Sequence, residues 1–159
     1  MKTPSLFTFF LFTAVAAVAA ALAAGASLTL TLPVWAMFIG WVAFFTRGVN
    51  VRDGLINLGC VLLGITFGIL AALAIGTLKS TFGVFTLSVV VFAVAMIVVS
   101  LRAVPVLNNL LCYFLGLISY FASHREPSPE SLLELGGAAA LGSFAGWASH
   151  ALQHRLARS

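Results

Sequence analysis

The sequence predicts an all-α integral membrane protein with six transmembrane helices and both ends in the cytoplasm, on three observations. Of the 159 residues, 62% are hydrophobic and 8% are charged, whereas a soluble domain carries roughly 25% charged residues. A chain of this length could form one soluble domain, but its interior is too small to hide so much apolar surface. Six apolar runs also approach the ~20 residues that a helix needs to cross a bilayer, and turn formers and charges separate them.

The runs are Leu6 to Ala24, Pro33 to Thr46, Gly54 to Gly76, Phe82 to Leu101, Pro105 to Phe121, and Leu132 to Leu152. The second is short unless Leu30 to Leu32 extend it. A membrane barrel would alternate apolar and polar residues over segments of about ten, and Val89 to Val99 does not alternate. Gly25-Ala26-Ser27 is expected to close the first helix. Pro33 and Pro105 are expected to open the second and fifth, where a missing N–H is harmless. Lys79-Ser80-Thr81 reads as the loop before the fourth helix. The polar stretch His124 to Glu130 precedes the sixth, with Ser128 or Ser131 as its cap and Glu130 or Glu134 favourable to its N-terminal dipole. No linker divides the chain, so residues 1–159 form one membrane domain.

Charge sets the orientation. With the N-terminus inside, Lys2, Arg47, Arg52, Arg102, Arg155 and Arg158 face the cytoplasm, and Lys79 and Arg125 face outward. Cytoplasmic loops carry the excess of basic residues, so both ends are expected inside. The eight basic residues are scattered singly. They form no stripe of the kind that binds nucleic acid, and the bilayer is the expected partner. The competing reading of the first segment is a cleavable leader, from Lys2, an apolar run and Ala-Ala-Gly-Ala. The run of about 19 residues is longer than a typical leader core.

The two halves echo each other. The first contains Pro33-Val34-Trp35, Gly40 to Phe45, and Gly64-Ile65-Thr66-Phe67-Gly68. The second contains Pro105-Val106-Leu107, Gly116 to Phe121, and Gly142-Ser143-Phe144-Ala145-Gly146. The spacings differ by four residues before the glycine and by two in the loop. Repeat one covers about 6–76 and repeat two about 82–152. Three helices per unit reverse the second unit in the membrane, which predicts an inverted 3+3 repeat.

Candidate residues follow from this frame. Gly64, Gly68, Gly142 and Gly146 read as small-residue ridges for close helix packing, or as carbonyls lining a narrow path. Asn57, Asn108 and Asn109 lie near cytoplasmic helix ends. Asparagine is costly to bury unpaired, so they either join helices or line a vestibule. Thr66, Ser119 and Ser143 lie deeper, where hydroxyls also bond back to their own helix. Glu134 is the one acid inside a predicted span, and intramembrane ionisable groups are functional candidates. Phe44, Phe45, Tyr120 and Phe121 recur in both halves as a pair of candidate gates.

His124, His150 and His154 read as solvated or interfacial. Cys60 and Cys112 read as small buried hydrophobes, with no metal-ligand spacing. No nucleophile–histidine–acid set or phosphate loop is visible, so neither an enzyme nor a cofactor is expected.

Pro33-x-Trp35, Phe38-x-Gly40-Trp41, Phe44-Phe45, Val104-Pro105 and the small-residue final helix resemble the YcdZ-like family of small bacterial inner-membrane proteins. The resemblance runs from Leu32 to Trp147. It implies a multi-pass inner-membrane location and transfers no activity or catalytic residue. The leading expectation is a channel or facilitator for a small neutral solute. The alternative is a structural or accessory protein that binds a partner within the bilayer. Self-association is expected because six short helices leave little interior for a pore.

Overall fold

A computed structural model describes residues 6–157; Lys2 and Arg158 lie outside them. The described residues are all-helical: α1 (Leu6–Thr29), α2 (Val34–Phe44), α3 (Val51–Phe82), α4 (Thr86–Ser100), α5 (Leu110–Ser123) and α6 (Pro129–Leu156). Tight 3-10 turns, Gly83–Phe85 and Leu101–Ala103, flank α4 on either side.

Several boundaries differ from the sequence expectation, each for a local reason. Gly25-Ala26-Ser27 does not close α1. Ser27 stays helical, and its hydroxyl donates to the Leu32 carbonyl at 3.1 Å, so the chain turns later, where Thr31 adopts a left-handed φ of 55°. Lys79-Ser80-Thr81 is helical; the chain breaks at Gly83, whose φ of 51° suits glycine. Pro105 does not open α5. A residue before proline is driven to extended backbone, as Val104 is. The helix starts at Leu110, where the Asn109 side chain accepts from the Cys112 N–H. Ser128, rather than Ser131, caps α6 by accepting from the Ser131 N–H.

Two runs, Leu6–Thr29 and Val51–Ala103, are long and apolar enough to cross a membrane. Only 6% of the most apolar α1 stretch is buried, and Leu6, Phe7, Leu22, Val84, Phe92 and Leu133 all stand out from the surface. By length alone, the 11 residues of α2 rise only about 17 Å, short of the ~30 Å hydrocarbon. α6 is long enough but rich in glycine, alanine and serine. Leu135, Ala138, Ala139, Gly142 and Gly146 are among its buried residues, so its neighbours supply the apolar cover along that face.

The packing is organised by two close crossings, α2 on α6 and α3 on α5. In the first, a Cβ on Gly40 would overlap the Ala139 carbonyl, and one on Gly142 would overlap the Met37 carbonyl. In the second, a Cβ on Gly116 would overlap the Val61 carbonyl, and one on Gly64 the Tyr113 carbonyl. At both places backbone lies on backbone, an approach that only glycine permits. One turn further on, Gly146 lies under Phe44 and Gly68 under Tyr120. Contacts ascend together along both members of each pair, so each crossing is parallel. α1 lies along α6, and α4 folds back along α3.

Candidate functional site: a polar joint at one end of the helices

A hydrogen-bonded cluster of polar side chains lies where the end of α2 meets the starts of α3 and α5. Asn57 is fully buried on α3. Its amide donates to the Ala43 carbonyl of α2 at 3.0 Å, and its Oδ1 accepts from the Asn109 amide at 2.7 Å. The same Asn109 amide donates to the Thr46 hydroxyl at 2.8 Å. Thr46 in turn donates to the Ala43 carbonyl at 2.7 Å and contacts the Cys112 sulfur at 3.3 Å. One amide pair therefore ties three helices together, and the polar atoms of Asn57 find partners inside the protein, as burial demands.

A more exposed layer lies outside this joint. Arg47 donates to the Asn108 side-chain carbonyl and approaches Asp53 at 3.6 Å. Asn50 caps α3 by accepting from the Asp53 N–H at 3.0 Å, and its amide donates to Asp53 Oδ2 at 2.7 Å. Asp53 thus sits in the first turn of α3, where the helix dipole favours negative charge.

The structure brings together Asn57 and Asn109, with Asn108 beside them through Arg47, and leaves the other sequence candidates apart. Gly64 lies in the α3–α5 crossing, Gly142 in the α2–α6 crossing, and Gly68 and Gly146 beneath the aromatic rings. Thr66 is half-buried and bonds back to the Leu62 carbonyl of its own helix at 2.9 Å. Ser143 is buried and donates across to the Gly40 carbonyl at 2.9 Å. Ser119 is buried, and its hydroxyl has no hydrogen-bond partner. Glu134 lies near the opposite end of the molecule, paired with Arg125 at 2.5 Å on a partly exposed surface.

Of the four candidate gates, Phe44 and Tyr120 are buried while Phe45 and Phe121 are more than 40% exposed. Each buried ring meets its exposed neighbour edge-on, at 5.1 Å and 5.4 Å between centroids.

Sequence reasoning missed Thr46 and Tyr113. Thr46 closes an apolar run, and a terminal threonine carries no distinctive signal. Tyr113 reads as part of an apolar helix, yet it is fully buried and its hydroxyl has no hydrogen-bond partner; Cys112 is buried, as its sequence context implies. Among the described residues, no three His, Cys, Asp or Glu side chains are grouped to hold a metal.

The family model described as protein of unknown function (DUF1097) matches residues 13–154. The chain belongs to the DUF1097 family. The match begins inside α1 and ends near the close of α6, so it spans the residues of the polar joint and of both glycine crossings in this chain. No curated protein and no solved structure matches the chain.

Proposed function

We propose that this chain is a multi-pass protein of the bacterial inner membrane, built from two oppositely oriented three-helix units. We further infer that it holds a partner within the bilayer rather than conducting a solute through its own interior. The observation that carries this reading is the filled centre. Met37, Cys60, Ile65, Tyr113, Leu135 and Ala138 are all fully buried between α2, α3, α5 and α6. Three surface-open cavities on the molecule are lined by apolar side chains, and the polar residues that meet in the joint bond to one another.

The apolar exterior supports the membrane setting, because lipid is the solvent that such a surface suits. The resemblance to YcdZ-like proteins supports the bacterial inner membrane. Arg47, Arg52, Arg102 and Arg155 fall at one end of the helices and Lys79 and Arg125 at the other, consistent with both ends inside.

The register of the two crossings supports the inverted repeat. Met37, Gly40 and Phe44 stand to Ala139, Gly142 and Gly146 as Tyr113, Gly116 and Tyr120 stand to Val61, Gly64 and Gly68. The capping residues follow the same scheme: Pro33 with Asn109, and Asn50 with Ser128. Moving the start of α5 from Pro105 to Leu110 removes the four-residue discrepancy between the halves. On this reading α2 and α5 cross the membrane as a matched pair of short helices, completed by their flanking turns.

The same register favours a second reading, a facilitator for a small neutral solute. The third helix of each unit is exchanged into the bundle of the other, and two such bundles are able to rock about a shared axis. Swelling of proteoliposomes in a panel of small neutral solutes, combined with cross-linking in intact membranes, separates the two. The partner-holding reading expects swelling no faster than in empty liposomes, together with a cross-linked second copy or other membrane protein. Solute-specific swelling would overturn it in favour of the facilitator, as would recovery of only uncross-linked monomer.

A further inference from the structure

A groove of about 260 Å3 opens on the surface between α2, α3 and α6, walled by Phe44, Leu55, Leu58, Ala140, Phe144 and Trp147. Its lining is apolar, and small residues make it: Gly54, where a Cβ would come within 2.8 Å of the Phe44 ring, and Ala140. In the register of the repeat, Ala140 corresponds to Leu62 and Leu58 to Gly136. There Leu62 lies against Gly136, whose Cβ would meet Leu62 Cδ2 at 2.7 Å. The two halves thus carry their leucine on opposite members of the corresponding pair.

Basic residues stand at the end of the molecule where α3 begins and α6 closes, beyond this groove. Arg52 follows Val51, which lines the groove, and is exposed with no side-chain hydrogen bond or ion pair among the described residues. On α6, His150 packs against Phe44 with ring centroids 6.5 Å apart, and His154 lies 4.6 Å from His150. Arg155 follows Phe144 by about three turns on the same face. The acid at this end, Asp53, is already engaged by Arg47 and Asn50.

We propose that the groove holds an acyl chain of an anionic phospholipid, with its phosphate met by Arg52 and Arg155. An apolar slot between helices with cations at its cytoplasmic end is the chemistry that selects an acidic headgroup over a zwitterionic one. The proposal rests on the membrane-spanning reading, and its test keeps the two distinguishable. Resistance to alkaline and urea extraction establishes integration; release into the soluble fraction would remove the membrane reading and this proposal with it.

With the integral protein in detergent, native mass spectrometry compares retention of phosphatidylglycerol and phosphatidylcholine with identical chains. The expected result is a preference for phosphatidylglycerol of about tenfold or more. The Arg52→Gln/Arg155→Gln double variant brings the two lipids to parity. Ala140→Leu, which adds a bulky side chain to the groove wall, releases both. If Ala140→Leu fails to fold, the double arginine variant decides alone. Equal retention of both lipids by the unmodified protein, or a preference that survives the double arginine variant, would overturn the proposal while leaving membrane integration intact.

Discussion

At the residue scale, the sharpest dependence lies on Asn57 and Asn109. Asn57 is fully buried and its Oδ1 accepts from the Asn109 amide, so removing Asn109 strands a buried carbonyl. Asn109→Leu is expected to cost about 1–2 kcal/mol, because an unpaired buried polar group costs more than its hydrogen bond contributed. The double variant Asn57→Leu/Asn109→Leu should recover much of that loss, since replacing both partners by apolar groups approaches neutrality. Reversible unfolding in mixed micelles measures both. If the double variant loses the sum of the two single losses, the joint is not a closed pair.

Glycines divide the same way by contact. Gly64→Leu and Gly116→Leu would drive a side chain into the facing backbone and should cost at least about 3 kcal/mol or abolish folding. Gly59 faces open space, so Gly59→Ala is expected to stabilise by roughly 0.5–1 kcal/mol through backbone entropy. The same unfolding measurement reads all three.

At the element scale, the starts of α3, α5 and α6 are marked by the side-chain caps Asn50, Asn109 and Ser128. Asn50→Ala and Ser128→Ala should each cost about 1 kcal/mol, read as loss of thermal stability in detergent. The first turn of α6 should also respond to pH. The backbone N–H of Glu130 and the Ser128 hydroxyl hold the Glu130 carboxyl below its usual range. A carboxyl lowered in the folded state stabilises above its unfolded pKa, and that contribution fades as pH falls through the lowered value. Acidification should therefore lower the melting temperature of the unmodified protein more than that of Glu130→Gln; equal slopes would remove Glu130 as a contributor. The Arg125–Glu134 pair is partly exposed, so Glu134→Gln should change stability by less than about 1 kcal/mol.

At the scale of the whole molecule, the proposed repeat makes a geometric prediction about thiols. Asn57 and Asn109 are bonded across a 52-residue offset, and Gly64–Gly116 and Gly68–Tyr120 keep that register. Cys60 and Cys112 therefore face each other one turn above the asparagines. Their counterparts in the other crossing are Ala138 and Ala36, both fully buried. A short thiol-bridging reagent should link Cys60 to Cys112 in membranes. It should equally link Ala36→Cys to Ala138→Cys in a chain whose own cysteines are replaced by alanine. Bridging in one crossing only, read by mass spectrometry of the digested protein, would break the equivalence of the two units.

The sequence by itself determined that the chain is helical and intensely apolar, because composition and run length depend on no long-range contact. It also made the glycines legible, since small residues at helical spacing mark a backbone that something must approach. Only the tertiary structure decided what each glycine meets, because that depends on which helices become neighbours, and α2 pairs with α6 although distant from it in the chain. The start of α5 was illegible for a local reason: Pro105 resembles a helix opener, yet the cap comes from Asn109, whose value depends on Asn57 and Thr46 being within reach. The joint itself escaped notice because Thr46 and Cys112 are ordinary in isolation and become polar partners only when three helix ends converge. The asparagines admitted two meanings in the sequence, joining helices or lining a vestibule. The fold places hydrogen-bond partners within the protein against the Asn57 and Asn109 side chains.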